Sequence, residues 1–98
     1  MPAYFIVFRD EMKNADQYEA YRPKAVASFA GHDAKGLVAN GAVTPLEGAA
    51  PDGVVVLEFP TVEAAKAWYN SPAYQAVLGE RLAATSGRAV IVEGVAAG

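Results

Sequence analysis

The chain has 98 residues, 53% apolar and 19% charged, a balance typical of one folded domain over residues 1–98. Its net charge is −3 and its eight cations are scattered, so no basic stripe is present and nucleic-acid binding is not expected. Cysteine is absent, which excludes disulfides, thiolate nucleophiles and cysteine-ligated metals.

The N-terminal part of the chain predicts a strand and then a helix. Residues 3–8, "AYFIVF", are an apolar run typical of a buried strand. This run is too short for a signal-peptide core or a membrane span, so we expect a soluble cytoplasmic protein. Asn14 is suited to cap a helix that ends near Gly31, and Pro23 is expected to kink it.

Two strands are predicted in the middle of the chain. In residues 35–48, Asn40-Gly41 indicates either a tight turn or a bulge in one irregular strand. Residues 54–59, "VVVLEF", are the clearest strand of the chain and stop at Pro60.

An interrupted helix follows. Thr61 is a typical N-cap for a helix that reaches Tyr69. Ser71 and Pro72 then predict a second helical segment up to about Ala84, because serine favours the N-cap and proline the first helical position.

The last predicted strand is residues 88–95, which completes the order β-α-β-β-α-β. This order predicts an α+β fold, a ferredoxin-like sandwich with a four-stranded antiparallel sheet. Apolar residues occupy both the odd and the even positions of the strands, so apolar side chains lie on both faces of the sheet. The helices can cover only one of these faces. The uncovered face predicts a homodimer packed through the sheet.

The stretch from "VVVLEFPTVEAAKAWYNSPAYQ" to the terminal "VEGV" resembles the domain of unknown function 1330 family, within the dimeric α+β barrel superfamily. The resemblance covers essentially the whole chain. It implies the ferredoxin-like fold and the homodimer, but no particular reaction. The superfamily includes cofactor-independent monooxygenases, small isomerases and haem-handling enzymes, whose chemistry lies in a cleft between helices and sheet.

His32 is the chain's one histidine and therefore the first candidate for general acid–base catalysis, with Asp33 beside it. The alternative is an exposed residue in a glycine-flanked turn. A lone histidine could also be an axial haem ligand, although scattered acids and one histidine make a poor metal cluster. No cofactor-binding motif is present, so neither a metal nor a cofactor is expected.

Aromatic residues on the predicted helices are candidates for a ligand-binding wall. Trp68 and Tyr69 lie about 100° apart on one helix, so one faces the core and the other its border. The alternative role for these side chains is core packing, although a buried phenol usually finds a polar partner. The remaining aromatic candidates are Tyr18, Tyr21 and Tyr74.

Arg81 shares a helix face with Tyr74 and apolar residues. One interpretation is a structural ion pair with Glu58 or Glu93, and another is an anion-binding group for a small carboxylate. Two functions therefore remain open. The first is a small organic ligand bound in an aromatic-lined cleft, with cofactor-independent chemistry by His32 or a tyrosine. The second is a non-catalytic module for folding and dimerisation.

Overall fold

The structure is a computed structural model that describes residues 1–96. Within that range, no helix is long and apolar enough to cross a membrane. The elements, in chain order, are β1 (Ala3–Met12), α1 (Ala15–Ala27), β2 (Lys35–Ala39), β3 (Gly53–Phe59), α2 (Val62–Tyr69), α3 (Pro72–Ala84) and β4 (Thr85–Glu93).

The four strands form one sheet in the order β2-β3-β1-β4, with every pair of neighbours antiparallel. In the centre of the sheet, Ile6 of β1 lies between Val56 and Val90. This strand order and the helix positions confirm the predicted ferredoxin-like α+β fold, including the interruption of the second helical region.

Local side chains determine where each helix begins. Asn14, Thr61 and Ser71 each accept a hydrogen bond from the backbone N–H three residues on, at 3.0, 3.0 and 3.2 Å. These bonds satisfy donors that a helix leaves unpaired in its first turn. Pro72 occupies the first turn of α3, where its missing N–H costs nothing.

Several predicted boundaries differ from the structure. β1 continues to Met12 and β4 begins at Thr85, because these two residues still pair across the sheet beyond the apolar stretch. Ladder hydrogen bonds use backbone groups, so exposed charged side chains do not end the pairing. α1 runs continuously through Pro23 and ends at Ala27, before a turn that contains Gly31 at φ 80°.

β2 is short and irregular. Its pairing with β3 shifts register between Gly36 and Val38, which is a bulge inside the strand. The bulge considered at Asn40-Gly41 is not found, because β2 ends at Ala39. Asn40 ends the strand in the left-handed region, at φ 61°, which asparagine tolerates better than most residues. Residues 41–52 contain no further helix or strand.

The helices cover one face of the sheet. Along β1, Phe5 and Val7 point to that face and are buried. Leu57 and Phe59 of β3 join them, and Trp68 of α2 closes over this layer. The core therefore lies between the sheet and the three helices.

The opposite face is apolar and has no cover within residues 1–96. Tyr4, Ile6 and Phe8 of β1 are half-buried there. On neighbouring β4, Val90 is 47% exposed and Val92 is 45% exposed. Apolar side chains thus occupy both faces, as the strand pattern predicts.

Candidate functional site

A cavity of about 190 Å³ lies between α1 and the sheet. Strands β1, β2 and β3 form its floor, and single residues of α2 and α3 close one end. Most of its wall is apolar, with large contributions from Phe5, Val7, Phe29, Val55, Leu57 and Trp68.

The polar part of the wall consists of Tyr18, Tyr21, Arg22, Asn40 and Arg81. Arginine side chains only donate hydrogen bonds, whereas phenols and amides can both donate and accept. Among residues 1–96, neither a carboxylate nor an imidazole lines this cavity. Its polar groups are therefore cationic or neutral.

A hydrogen-bonded cluster stands at one end of the cavity. The hydroxyl oxygens of Tyr21 and Tyr74 lie 2.6 Å apart, and Arg81 Nε donates to the Tyr74 oxygen at 3.3 Å. All three residues are buried, with 7%, 0% and 8% of their surface exposed. α1 and α3 are thus joined through polar atoms inside an apolar core.

Burial and neighbouring charges determine the protonation of this cluster. Burial, reinforced by Tyr74, raises the pKa of Tyr21 well above its ordinary value, so this phenol stays protonated. For Arg81, burial alone would lower the pKa, but the oxygens of Tyr74 and Tyr21 outweigh burial and raise it. The guanidinium therefore keeps its charge in the core.

A second polar network lies beside this cluster, since the ring centroids of Tyr18 and Tyr21 are 5.8 Å apart. Arg9 Nη1 donates to Asn40 Oδ1 at 2.8 Å, and Asn40 Nδ2 donates to the Tyr18 hydroxyl at 3.1 Å. Arg9 also pairs with Asp52 at 3.0 Å, and its guanidinium carbon lies 5.0 Å from the centre of the Tyr18 ring. The left-handed backbone of Asn40 places its amide between these two side chains.

Trp68 forms the back of the cavity. Only 1% of this residue is exposed, and its indole N–H donates to Ser28 Oγ at 3.0 Å. The ring centroid lies 5.1 Å from that of Phe5 and 4.2 Å from that of Tyr74. Because α2 ends just before Ser71, Trp68 and Tyr74 stand on separate helices and meet at the joint.

The predicted site residues divide into two groups. Tyr69 packs at the border of the core, and Tyr74 stands behind Tyr21 without lining the cavity. His32 lies half-buried in the turn after α1 and does not line the cavity either. The four that do line it are Tyr18, Tyr21, Trp68 and Arg81.

The expected ion pair of Arg81 is not found. Within residues 1–96, neither Glu58 nor Glu93 lies within ion-pair distance of it. Its side-chain partner is Tyr74, one of the residues predicted on the same helix face. The ion-pair prediction is wrong because Arg81 points between α1 and α3 rather than towards the acidic strand positions.

Three polar residues around the cavity were not predicted from the sequence. Asn40-Gly41 indicates a turn or a bulge in the sequence, but an asparagine suited to positive φ also carries a side chain that can bridge neighbours. Arg9 directly follows the apolar run of residues 3–8 within β1, a position that brings a cation to the border of the core. No sequence pattern around Ser28 indicates that its hydroxyl contacts the residues of the cavity.

A second, open depression of about 510 Å³ lies beside the end of β3. Asp33, Lys35 and Glu58 contribute charges of both signs to it. None of the predicted site residues lines it. In the part of the chain that the structure describes, no group of three or more histidine, aspartate or glutamate residues could hold a metal ion.

Solved structures share this fold at low sequence identity. A Rhodopseudomonas palustris protein of unknown function, RPA0582, is 17% identical with a TM-score of 0.76, covering 98% of this chain and 84% of its own. A dimeric ferredoxin-like protein of unknown function from Thermobifida fusca is 22% identical with a TM-score of 0.62, covering 92% and 87%. SnoaB, a cofactor-independent oxygenase from Streptomyces nogalater, is 12% identical with a TM-score of 0.59, covering 98% and 94%.

At these identities the likeness establishes the fold alone. A comparison with curated protein sequences finds no match. The model of one protein family, in contrast, matches residues 2–95, nearly the whole chain. This match confirms the resemblance seen in the sequence, and the chain belongs to the family described as Domain of unknown function (DUF1330).

Proposed function

We propose that this protein is a homodimer in which each subunit binds a small, largely apolar organic molecule in the cavity between α1 and the sheet. The supporting observation is the combination of a mostly apolar wall with a few polar groups in one cavity. Ligand sites in proteins generally have this composition, since apolar contact supplies affinity and a few polar groups fix orientation.

The volume of the cavity limits the size of the ligand. Drug-sized molecules occupy pockets of about 300 Å³ or more, whereas a cavity of about 150 Å³ suffices for benzene. At about 190 Å³, this cavity has room for one substituted ring or an alkyl chain of similar bulk.

The uncovered sheet face supports the homodimer. A second copy would cover the half-buried Ile6 and Phe8 together with the exposed Val90 and Val92. The Thermobifida fusca protein of the same fold is described as dimeric, which favours self-association over another partner. The cytoplasmic location expected from the sequence stays a prediction.

Binding is favoured over catalysis by a general base. Among residues 1–96, the wall has no group that titrates near neutrality, and the raised pKa of Tyr21 makes this phenol a donor rather than a base. The second candidate is a cofactor-independent enzyme, in which Tyr21 and Arg81 would stabilise negative charge developing on a substrate oxygen. His32 has no role in either proposal.

Occupancy of the cavity is tested by screening small aromatic and alkyl fragments. Trp68 is the chain's single tryptophan and lines the cavity, so its fluorescence reports directly on binding. We expect fragments to change this fluorescence in the wild type and to lose the effect in Ala25→Leu, which places a larger side chain in the cavity. Ala27→Leu is the matched control on the exposed side of the same helix.

Fragments that bind equally well to wild type and Ala25→Leu would place the site elsewhere. If no fragment binds at millimolar concentration, the non-catalytic folding and dimerisation module becomes the better proposal.

The homodimer is tested by light scattering on purified protein. We expect twice the mass of one chain for the wild type, and a monomer for Val90→Lys because the new charge would be buried between two sheets. Leu82→Lys, at a 58% exposed position on α3, should remain dimeric. A monomeric wild type at micromolar concentration would contradict the proposal.

A further inference from the structure

Arg81 is a buried cation that lacks an anionic partner. Only 8% of the residue is exposed, and its raised pKa keeps it charged. Four ion pairs are present within residues 1–96, and Arg81 takes part in none of them. An uncompensated charge in a protein core is strongly unfavourable, so this arrangement calls for an anion that binds there.

The two terminal nitrogens of Arg81 have no side-chain partner among residues 1–96. In the described part of the chain, its one side-chain hydrogen bond uses Nε. No buried side-chain nitrogen or oxygen in that part lacks a partner, so the two unpaired terminal nitrogens must keep accessible surface. Arg81 is one of the residues that line the cavity, and we infer that these nitrogens are reached from it.

The Tyr21 hydroxyl is a second donor. The Tyr74 hydroxyl accepts from Arg81 and is fully buried, so its own proton has one acceptor among residues 1–96, the Tyr21 oxygen. A buried donor without an acceptor is costly, which favours donation from Tyr74 to Tyr21. The Tyr21 proton is then left for an acceptor in the cavity, beside the guanidinium.

The rest of the wall agrees with an anionic ligand. Tyr18 accepts a hydrogen bond from Asn40, so its own proton is also free to be donated. No carboxylate of residues 1–96 lines the cavity to repel an anion. The other arginine of the wall, Arg22, is exposed and already pairs with Glu19 at 3.5 Å, so it is not counted as a ligand-binding group. The apolar walls require that the remainder of the ligand be hydrocarbon-like.

We propose that the ligand is a small apolar carboxylic acid, bound as its carboxylate by the terminal nitrogens of Arg81 and the hydroxyl of Tyr21. This inference rests on the proposed function, since it assumes that the cavity is the binding site. A planar carboxylate matches the two parallel donors of a guanidinium, and such charge-assisted bonds are among the strongest in proteins.

The test compares two probes with the same apolar body, 3-phenylpropionate and its neutral amide. Each is titrated against the full chain at pH 7 and followed by Trp68 fluorescence. We expect the acid to bind wild type at least about tenfold more tightly than the amide, because hydrogen bonds to charged groups are stronger than neutral ones. Arg81→Met should abolish this difference and leave the affinity for the amide within about threefold.

Arg22→Met is the matched control, because Arg22 is an exposed arginine in the wall of the same cavity. It should keep the preference for the acid. If Arg81→Met does not fold, Tyr21→Phe provides the second variant and should weaken binding of the acid about fivefold, the value of one hydrogen bond.

The possible failures are distinct. Equal binding of acid and amide to wild type would overturn the carboxylate inference and leave the apolar cavity as a binding site. A preference for the acid that survives in Arg81→Met would overturn the role of Arg81. If neither probe binds wild type, both the inference and the proposed function are overturned.

Discussion

The hydroxyl oxygens of Tyr21 and Tyr74 lie 2.6 Å apart, although 53 positions separate these residues in the chain. The contact joins α1 to α3 inside the core, and Arg81 extends it by donating to Tyr74. A polar link between two helices in an apolar layer is stable only when each member has a partner. The two tyrosines should therefore contribute to stability as a coupled pair.

Tyr74→Phe should lower the free energy of unfolding by about 1–3 kcal/mol, because it leaves Arg81 Nε without its acceptor. Tyr21→Phe should lower the free energy of unfolding by about 0.5–1.5 kcal/mol. Urea denaturation of both single variants and the double variant measures their coupling, expected at about 0.5–3 kcal/mol. Tyr69→Phe, at the border of the core, serves as the control. Strictly additive effects would contradict the coupling.

Stability should depend on Tyr21 at alkaline pH. The pKa of Tyr21 is raised in the folded state, so the folded protein holds this proton where the unfolded chain releases it. The contribution is complete below pH about 10, the unfolded pKa, and is lost as pH rises further towards the folded pKa. The wild-type advantage over Tyr21→Phe should fall between pH 9.5 and 11 by up to about 1.4 kcal/mol per pH unit. Parallel stability curves for the two proteins would refute this account.

Asn40 should matter through both its backbone and its side chain. Asn40→Gly keeps the left-handed backbone at φ 61° but removes the bridge between Arg9 and Tyr18. Asn40→Ala loses the bridge and adds strain, so it should be about 1 kcal/mol less stable than Asn40→Gly. Thermal or chemical denaturation measures which of the two variants is more stable. Equal stabilities would show that the left-handed conformation is not maintained in solution.

Replacing either of two glycines with alanine should change the stability of the protein, in opposite directions. A Cβ at Gly87 would collide with the backbone carbonyl of Phe8 across the β1–β4 pair, so Gly87→Ala should destabilise the protein by more than about 1 kcal/mol. A Cβ at Gly79 in α3 meets no atom within 4 Å beyond the adjacent residues and the nearby backbone of its own helix, so Gly79→Ala should stabilise the helix by about 0.5–1 kcal/mol. The melting temperatures of both variants, compared with that of the wild type, test these two expectations. A neutral Gly87→Ala would argue against this strand register.

The sequence predicts best those features that depend on near neighbours. Asn14, Thr61 and Ser71 each cap a helix through a backbone group three residues away, so the helix starts were found correctly. The ends of β1 and β4 were missed because Met12 and Thr85 are held in the sheet by each other. Such pairing depends on a distant strand and leaves no local pattern.

The same distinction applies to the cavity. Tyr21 and Arg81 could be selected as candidates because their residue types and helix faces are visible in sequence. Arg81 and Tyr74 lie seven residues apart on α3, so their bond is local, whereas the contact between Tyr74 and Tyr21 depends on how α1 packs against α3, which no short sequence pattern encodes. Ser28 becomes important only because the indole of Trp68 reaches it from another helix.

The alternation of β1 has a consequence for how relatives of this protein can diverge. Phe5 and Val7 face the cavity, whereas Ile6 and Phe8 face the side of the sheet proposed for self-association. Mutations at neighbouring codons therefore act on opposite faces of the sheet, one on the wall of the cavity and the next on the uncovered face. A lineage can therefore reshape the cavity through every second position of this strand and leave the uncovered face unchanged.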